Sequence, residues 1–281
     1  MTNKRNVATV ITPENTSDGA GVKLKRSIAT RTLSYLDPFL LFDHFGSENP
    51  DDYIAGFPIH PHRGIETVTY MLAGAVEHKD SSGNKGIIRT GDVQWMTAGG
   101  GIMHEEMPIV QDGRMEGFQL WVNLPAKLKM SKPRYQEVAS ASIPEYHGEN
   151  GVNIRVIAGK VGDVDGAVSE IAADPTYLDV RIPAGAVLKH AIPQGHTAFA
   201  YLFEGSAKFD ENTSVEASKL VIFADGDEIE VTAGAERARF LLVSGKPLGE
   251  PVARYGPFVM NTEEEIEQAL MDLKKGTFIQ K

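Results

Sequence analysis

Three of the eight histidines fall in two compact motifs, Gly56-Phe-Pro-Ile-His60-Pro-His62-Arg-Gly-Ile-Glu66 and Gly99-Gly-Gly-Ile-Met-His104-Glu-Glu106. In an extended strand residues i and i+2 project to the same face, so His60 points with His62 and His104 with Glu106. Two adjacent strands would then direct three imidazoles and one carboxylate at a single point, sending Glu105 the other way. A His-x-His pair alone is more often incidental; the second, chemically matched pair turns the reading toward one divalent transition metal. Three neutral nitrogens and a carboxylate suit Fe(II), and Mn, Co, Ni or Cu are also accommodated. Four protein ligands on an octahedral ion leave two positions for a bidentate substrate, or for a substrate oxygen and O₂. Glu66 shares the parity of His60 and His62 and is the rival carboxylate, unless the Arg63-Gly64 step breaks the alternation. Support of an imidazole N–H is its alternative role.

Other chemistries are poorly served. The chain has no cysteine, so any metal must sit on His and carboxylate. There is no Gly-x-Ser-x-Gly elbow, and Gly99-Gly100-Gly101 lacks the Lys-Ser/Thr ending of a phosphate loop, reading instead as a tight turn or close approach beside the metal. His44, His78 and His147 occur singly and read as surface or satisfied buried imidazoles. The net charge of -10 disfavours direct binding to nucleic acid or to an anionic membrane surface. No run approaches the length needed to span a bilayer, and Val7 to Ile11 is too brief for a signal-peptide core, so a soluble, cytoplasmic protein is expected.

The elements that must position these residues are short. Twenty-eight Gly and 15 Pro separate β-branched and aromatic runs such as Thr67 to Leu72, Gly117 to Asn123, Asn153 to Ala158, Tyr177 to Ile182, Ala198 to Phe203 and Phe240 to Val243, the texture of an all-β sandwich or barrel. One helix is predicted at the C-terminus: Thr262 and Glu265 form a capping box, Ile266, Leu270 and Leu273 make an apolar stripe, and Gly276 stops it. The basic, Pro-bounded stretch Leu124 to Arg134 reads as a linker. Two halves echo each other: Tyr70-Met-Leu-Ala-Gly74 matches Tyr201-Leu-Phe-Glu-Gly205, and Gly91-Asp92 matches Gly226-Asp227. A duplicated barrel follows, with residues 1–137 a metal-binding N-terminal domain and 138–281 a metal-free C-terminal domain carrying the helix. In the second half Lys189-His-Ala-Ile-Pro193 replaces the His-x-His, and no histidine follows Gly226-Asp227.

The segments Leu36-Asp-Pro-Phe-Leu-Leu-Phe-Asp-His-Phe-Gly46, His60-Pro-His-Arg-Gly-Ile-Glu-Thr-Val68, Gly91 to Pro108 and Leu120-Trp-Val-Asn-Leu-Pro-Ala-Lys127 resemble the pirin family of the cupin superfamily, closely over residues 20 to 137 and diffusely beyond. The resemblance implies a bicupin, two tandem double-stranded β-helix barrels, with an iron-type site in the first and quercetin 2,3-dioxygenase activity in several members. The pirin-type ligands fall on His60, His62, His104 and Glu106, with Glu106 also placed to act as a general base. The generic cupin spacing fits less well around Glu66 and Gly99 to His104, which favours Glu106 over Glu66. The expected partners are a flavonol such as quercetin and O₂. The alternative implied by the same family is a metal-dependent, redox-switched binding protein that contacts a transcription factor or metabolic enzyme.

Overall fold

A computed structural model of the chain describes residues 3–110 and 113–279. Its strands run β1 (Val7–Ile11), β2 (Glu14–Asp18), β3 (Val22–Ile28), β4 (Phe39–Ser47), β5 (Phe57–His62), β6 (Ile65–Ala73), β7 (Ala75–Asp80), β8 (Lys85–Arg89), β9 (Val93–Thr97), β10 (Ile102–Ile109), β11 (Met115–Asn123) and β12 (Arg134–Val138). They continue as β13 (Glu145–His147), β14 (Asn153–Ala158), β15 (Lys160–Val161), β16 (Val164–Asp165), β17 (Thr176–Ile182), β18 (Val187–Ala191), β19 (Thr197–Glu204), β20 (Ser206–Lys208), β21 (Ser214–Glu216), β22 (Lys219–Phe223), β23 (Glu228–Ala233) and β24 (Ala238–Gly245). The short β25 (Ala253–Tyr255) and β26 (Phe258–Met260) precede helix α1 (Glu263–Lys275). Each of the six apolar runs picked out in the sequence lies inside a strand.

Two units form, each built from a seven-stranded and a four-stranded antiparallel sheet. In one the orders are β12-β9-β6-β11-β4-β3-β2 and β5-β10-β7-β8; in the other they are β1-β22-β19-β24-β17-β14-β13 and β18-β23-β20-β21. The orders correspond strand for strand, β6 with β19, β9 with β22 and β10 with β23. The duplication is real at Gly74 and Gly205, which join β6 to β7 and β19 to β20 at φ of 79° and 73°. The companion match is displaced. Gly91-Asp92 leads into β9, but the residue leading into its counterpart β22 is Ser218, held at φ 64°, while Gly226-Asp227 leads into β23. A non-glycine residue occupies the left-handed position there, so glycine spacing misaligned the halves.

The units are not the consecutive segments 1–137 and 138–281. The chain up to Pro13 belongs to the second barrel, where β1 pairs with β22, and the chain from Leu248 onward belongs to the first. Helix α1 is therefore part of the unit that carries His60, His62 and His104, and the crossing between units falls after Ser140. The stretch Leu124 to Arg134 is no linker. Lys129 within it is buried, and its Nζ donates to the Gly64 carbonyl (3.0 Å), Asn123 Oδ1 (2.8 Å) and the Val259 carbonyl (2.9 Å). Its charge serves three oxygens inside the first unit, and burial pushes the amine down to about 8.

The capping box at Thr262 and the left-handed Gly276 bound α1 as predicted. Its buried face differs: Ile266 and Ala269 pack with Phe258, Met260 and Phe278, while Leu270 and Leu273 remain exposed. The small Ala269 lets the helix lie close, which turns the stripe away from the larger leucines. Among the described residues no helix is long and apolar enough to cross a membrane.

The two interiors differ. Between the sheets of the second unit Leu188, Ala200, Phe209, Ile229, Val231 and Phe240 pack into one apolar core. On β23, the counterpart of β10, the inward positions are Ile229, Val231 and Ala233. The first unit keeps a smaller apolar cluster, including Val22, Phe45, Met71 and Val76, and leaves a cavity beside it.

Candidate metal centre

Strand β5 lies at the edge of its sheet, where Pro58 and Pro61 forfeit no interior ladder bond and hold the His60-Pro-His62 step extended. Its neighbour β10 runs antiparallel, with His104 opposite His60 and Ile102 opposite His62. Directly opposed residues share a face, so the three imidazoles converge. One ring nitrogen from each lies within 4.8 Å of the others. The Nε2 atoms of His60 and His62 stand 3.1 Å apart, and the ring centroids of His60 and His104 are 4.4 Å apart. His60 Nδ1 lies 2.9 Å from the Pro58 carbonyl, which turns its Nε2 inward.

Inside this cluster both ring nitrogens of His104 are buried without a hydrogen-bond partner, while His62 turns its Nε2 to His60 and its ring also meets the Pro257 backbone. Buried imidazole nitrogens are ordinarily paired, and a metal ion is the partner that this donor set fits. Burial, reinforced by the other two histidines, pushes His62 well below the usual imidazole range. Burial likewise pushes His104 down to about 4, against the opposing pull of Glu106. Both are therefore neutral at pH 7, the form that ligates metal.

Glu106 follows on β10 beyond a register shift and is buried on the same side. Its carboxylate accepts from Thr69 Oγ1 at 3.3 Å and lines the same cavity as His60 and His62, outside the tight three-histidine group. Glu105 points the other way and pairs with Lys79 at 3.4 Å. Glu66 is separated from the cluster by a change of sheet. Gly64 makes the turn at φ 81°, where a Cβ would stand 1.9 Å from the Val259 carbonyl, so only glycine passes. Beyond it Glu66 sits on β6 with parity opposite to the cavity-lining Thr69, and accepts from Trp95 Nε1 (3.0 Å) and Thr97 Oγ1 (2.8 Å).

The cavity has a volume of about 550 Å³. Leu24, Leu41, Phe45, Phe57, Val76 and Met115 give it apolar walls, and Trp121 stands edge-on to His62 with centroids 5.0 Å apart. Sequence reasoning missed its polar rim, Asp18, Arg26, Asp43 and Arg254. Arg254 comes from the returning C-terminal segment and carries no motif that would have flagged it. Of the single histidines, His44 is satisfied, its Nε2 meeting Glu116 at 3.0 Å, whereas the buried His78 lies with Nε2 2.5 Å from Glu137 and leaves its Nδ1 unpartnered.

Two tandem cupin-type barrels of all-β structure, the first holding a convergent imidazole cluster, define the molecule as a bicupin. The chain belongs to the pirin family: the Pirin model matches residues 21–122 and the Pirin C-terminal cupin domain model matches residues 177–279. A pirin-like protein of Caulobacter vibrioides is 46% identical over 275 residues, covering 98% of this chain and 99% of its own. A crystal structure of quercetin 2,3-dioxygenase from Acinetobacter baumannii is 36% identical, with a TM-score of 0.90 and 98% of each chain covered. The bacterial pirin YhhW of Escherichia coli, crystallised in complex with nickel(II), shares the fold at 21% identity and a TM-score of 0.68, covering 85% of this chain and 99% of that one.

Proposed function

We propose that this pirin-family protein is a mononuclear metal-dependent dioxygenase that cleaves a flavonol such as quercetin. The observation that carries the reading is the three convergent imidazoles, with the ring nitrogens of His104 buried and unpartnered, at an apolar-walled cavity large enough for a flat aromatic molecule. The similarity to a quercetin 2,3-dioxygenase over nearly the whole chain supports it. His60, His62 and His104 hold the ion and Glu106 completes the set, a combination that suits Fe(II). When bound, a divalent ion supplies Lewis acidity that lowers the pKa of a substrate hydroxyl.

The chain's own groups do the rest. The apolar walls bind the ring system and exclude water. Glu106, held at one oxygen by Thr69, takes the proton of the 3-hydroxyl as general base. The flavonolate then reacts with one O₂: both oxygen atoms enter the ester product and the ring carbon that bore the 3-oxygen leaves as carbon monoxide.

The iron-loaded protein is expected to bleach the long-wavelength absorbance of quercetin with one O₂ consumed and carbon monoxide released. His60→Ala should be inactive at saturating substrate, and chelator-treated protein silent until metal is restored. Bleaching no faster than with His60→Ala would leave the metal-switched binding protein as the better reading.

A further inference from the structure

The cavity is lined by two arginines whose surroundings are opposite. Arg26 donates to Asp43 through Nε (2.8 Å) and Nη2 (2.6 Å) and to Asp18 through Nη2 (2.7 Å), so two carboxylates match its charge. Arg254 has no ion pair among the described residues. Its Nη1 donates to the Leu40 carbonyl at 3.0 Å, its Nε to the Gly256 carbonyl at 3.4 Å, and its guanidinium lies over the Trp121 ring, 5.0 Å from the centroid. Two neutral carbonyls and an indole face fix the group in place; Asp43 and Asp18, whose hydrogen bonds go to Arg26, act on it only from a distance. The residue lines the cavity and its Nη2 donates to nothing among the described residues, so this part of the guanidinium is available to an incoming molecule.

Position gives this cation a meaning. Trp121 stands edge-on to His62, so Arg254 is one indole ring removed from the imidazole cluster. Partial burial of the guanidinium and the nearby Arg26 charge push Arg254 below its usual range despite the opposing pull of Asp43 and Asp18, and an anion in contact with it would oppose that push further. A planar fork held by stacking is the arrangement that recognises two oxygens of an oxyanion.

We propose that Arg254 anchors a negatively charged group of the substrate, so that the cavity selects aromatic molecules with chelating oxygens at one end and a carboxylate or sulfonate at the other. Only the chelating end rests on the flavonol reading. Arg26 does not serve the same purpose, because Asp18 and Asp43 already occupy its donors.

The test compares quercetin with a ring-sulfonated quercetin, using the metal-loaded protein. Anaerobic equilibrium dialysis gives both dissociation constants without turnover, and O₂ uptake is followed in parallel. Wild type should prefer the sulfonate, the preference falling at high salt. Arg254→Met and Arg254→Gln should each lower the preference ratio at least tenfold and Arg254→Lys less, while Lys127→Met, an exposed cation outside the cavity, should not move it. An unchanged ratio in both neutral variants, or an equal fall in Lys127→Met, overturns the proposal. A preference that depends on Arg254 without O₂ uptake keeps the anion site and removes the dioxygenase. O₂ uptake with a preference indifferent to Arg254 does the reverse.

Discussion

Glu66 closely follows His62 in sequence, yet its carboxylate and that imidazole belong to different sheets. His62 ends β5 and joins the imidazole cluster, whereas Glu66 accepts from Trp95 and Thr97 on the side of β6 away from the cavity. The left-handed Gly64 between them is the cause. Three carboxylates near the histidines therefore have three distinct physical roles.

The carboxylates should separate experimentally. Glu106→Ala is expected to lose metal affinity and Glu105→Ala to keep it. Glu66→Gln should retain metal but lose about 1 to 3 kcal/mol of stability, because two buried donors forfeit a charged acceptor. Metal analysis together with urea unfolding measures both properties. Equal metal loss from Glu66→Gln and Glu106→Ala would restore Glu66 as a ligand.

One transition metal per chain is expected after gel filtration, since the second barrel presents Ile229 and Val231 on β23, the strand equivalent to the one carrying His104 and Glu106. His104→Ala should abolish retention. Two equivalents per chain in wild type, or one in the variant, would contradict this.

Metal-free protein should weaken in mild acid. The buried His104 stays neutral down to about pH 4, whereas in the unfolded chain it titrates at 6.5. As pH falls below 6.5 the unfolded state binds the proton first, so stability is lost progressively toward pH 4, up to about 3 kcal/mol from this group. His62 acts in the same direction. A urea midpoint at pH 5.0 equal to that at pH 7.5 would refute the linkage.

Arg63, next to His62 of the imidazole cluster, ties the site to the C-terminal helix. It is buried, and it donates to the Gly100 carbonyl (2.7 Å), Asp272 of α1 (2.7 Å) and the Phe278 carbonyl (3.2 Å), with its guanidinium 4.4 Å from the Phe278 ring centroid. Removing one partner of such a pair costs about 3 to 5 kcal/mol, so Arg63→Met should lower Tm strongly and Asp272→Asn less. Limited proteolysis should then cut first within α1. Uniform cleavage across the chain would argue against local detachment.

How much of this was legible follows from what leaves a local trace. The convergence of His60, His62 and His104, with Glu106 beside them on the same cavity, could be read because a period of two on adjacent strands is written in the sequence, and the C-terminal helix because caps are local. Arg254 and the Asp272 partner of Arg63 could not, since they arrive by a return of the chain that no spacing encodes. Lys129 looked like solvated charge because its three acceptors come from separate segments. Ser218 hid the true alignment of the halves by adopting a backbone conformation that sequence reasoning reserves for glycine.

The return of the chain from Leu248 onward also sets an order of assembly. A ribosome releases β5 and β10 early, but the Arg254 wall, the Val259 carbonyl above Gly64 and the Asp272 clasp emerge only after the second barrel. During synthesis the second barrel can close around β1 while the first still lacks its final wall. Loss of the segment from Leu248 onward would therefore injure the earlier-made barrel and spare the later one, so that an opened imidazole site, not collapse of the second barrel, is its signature.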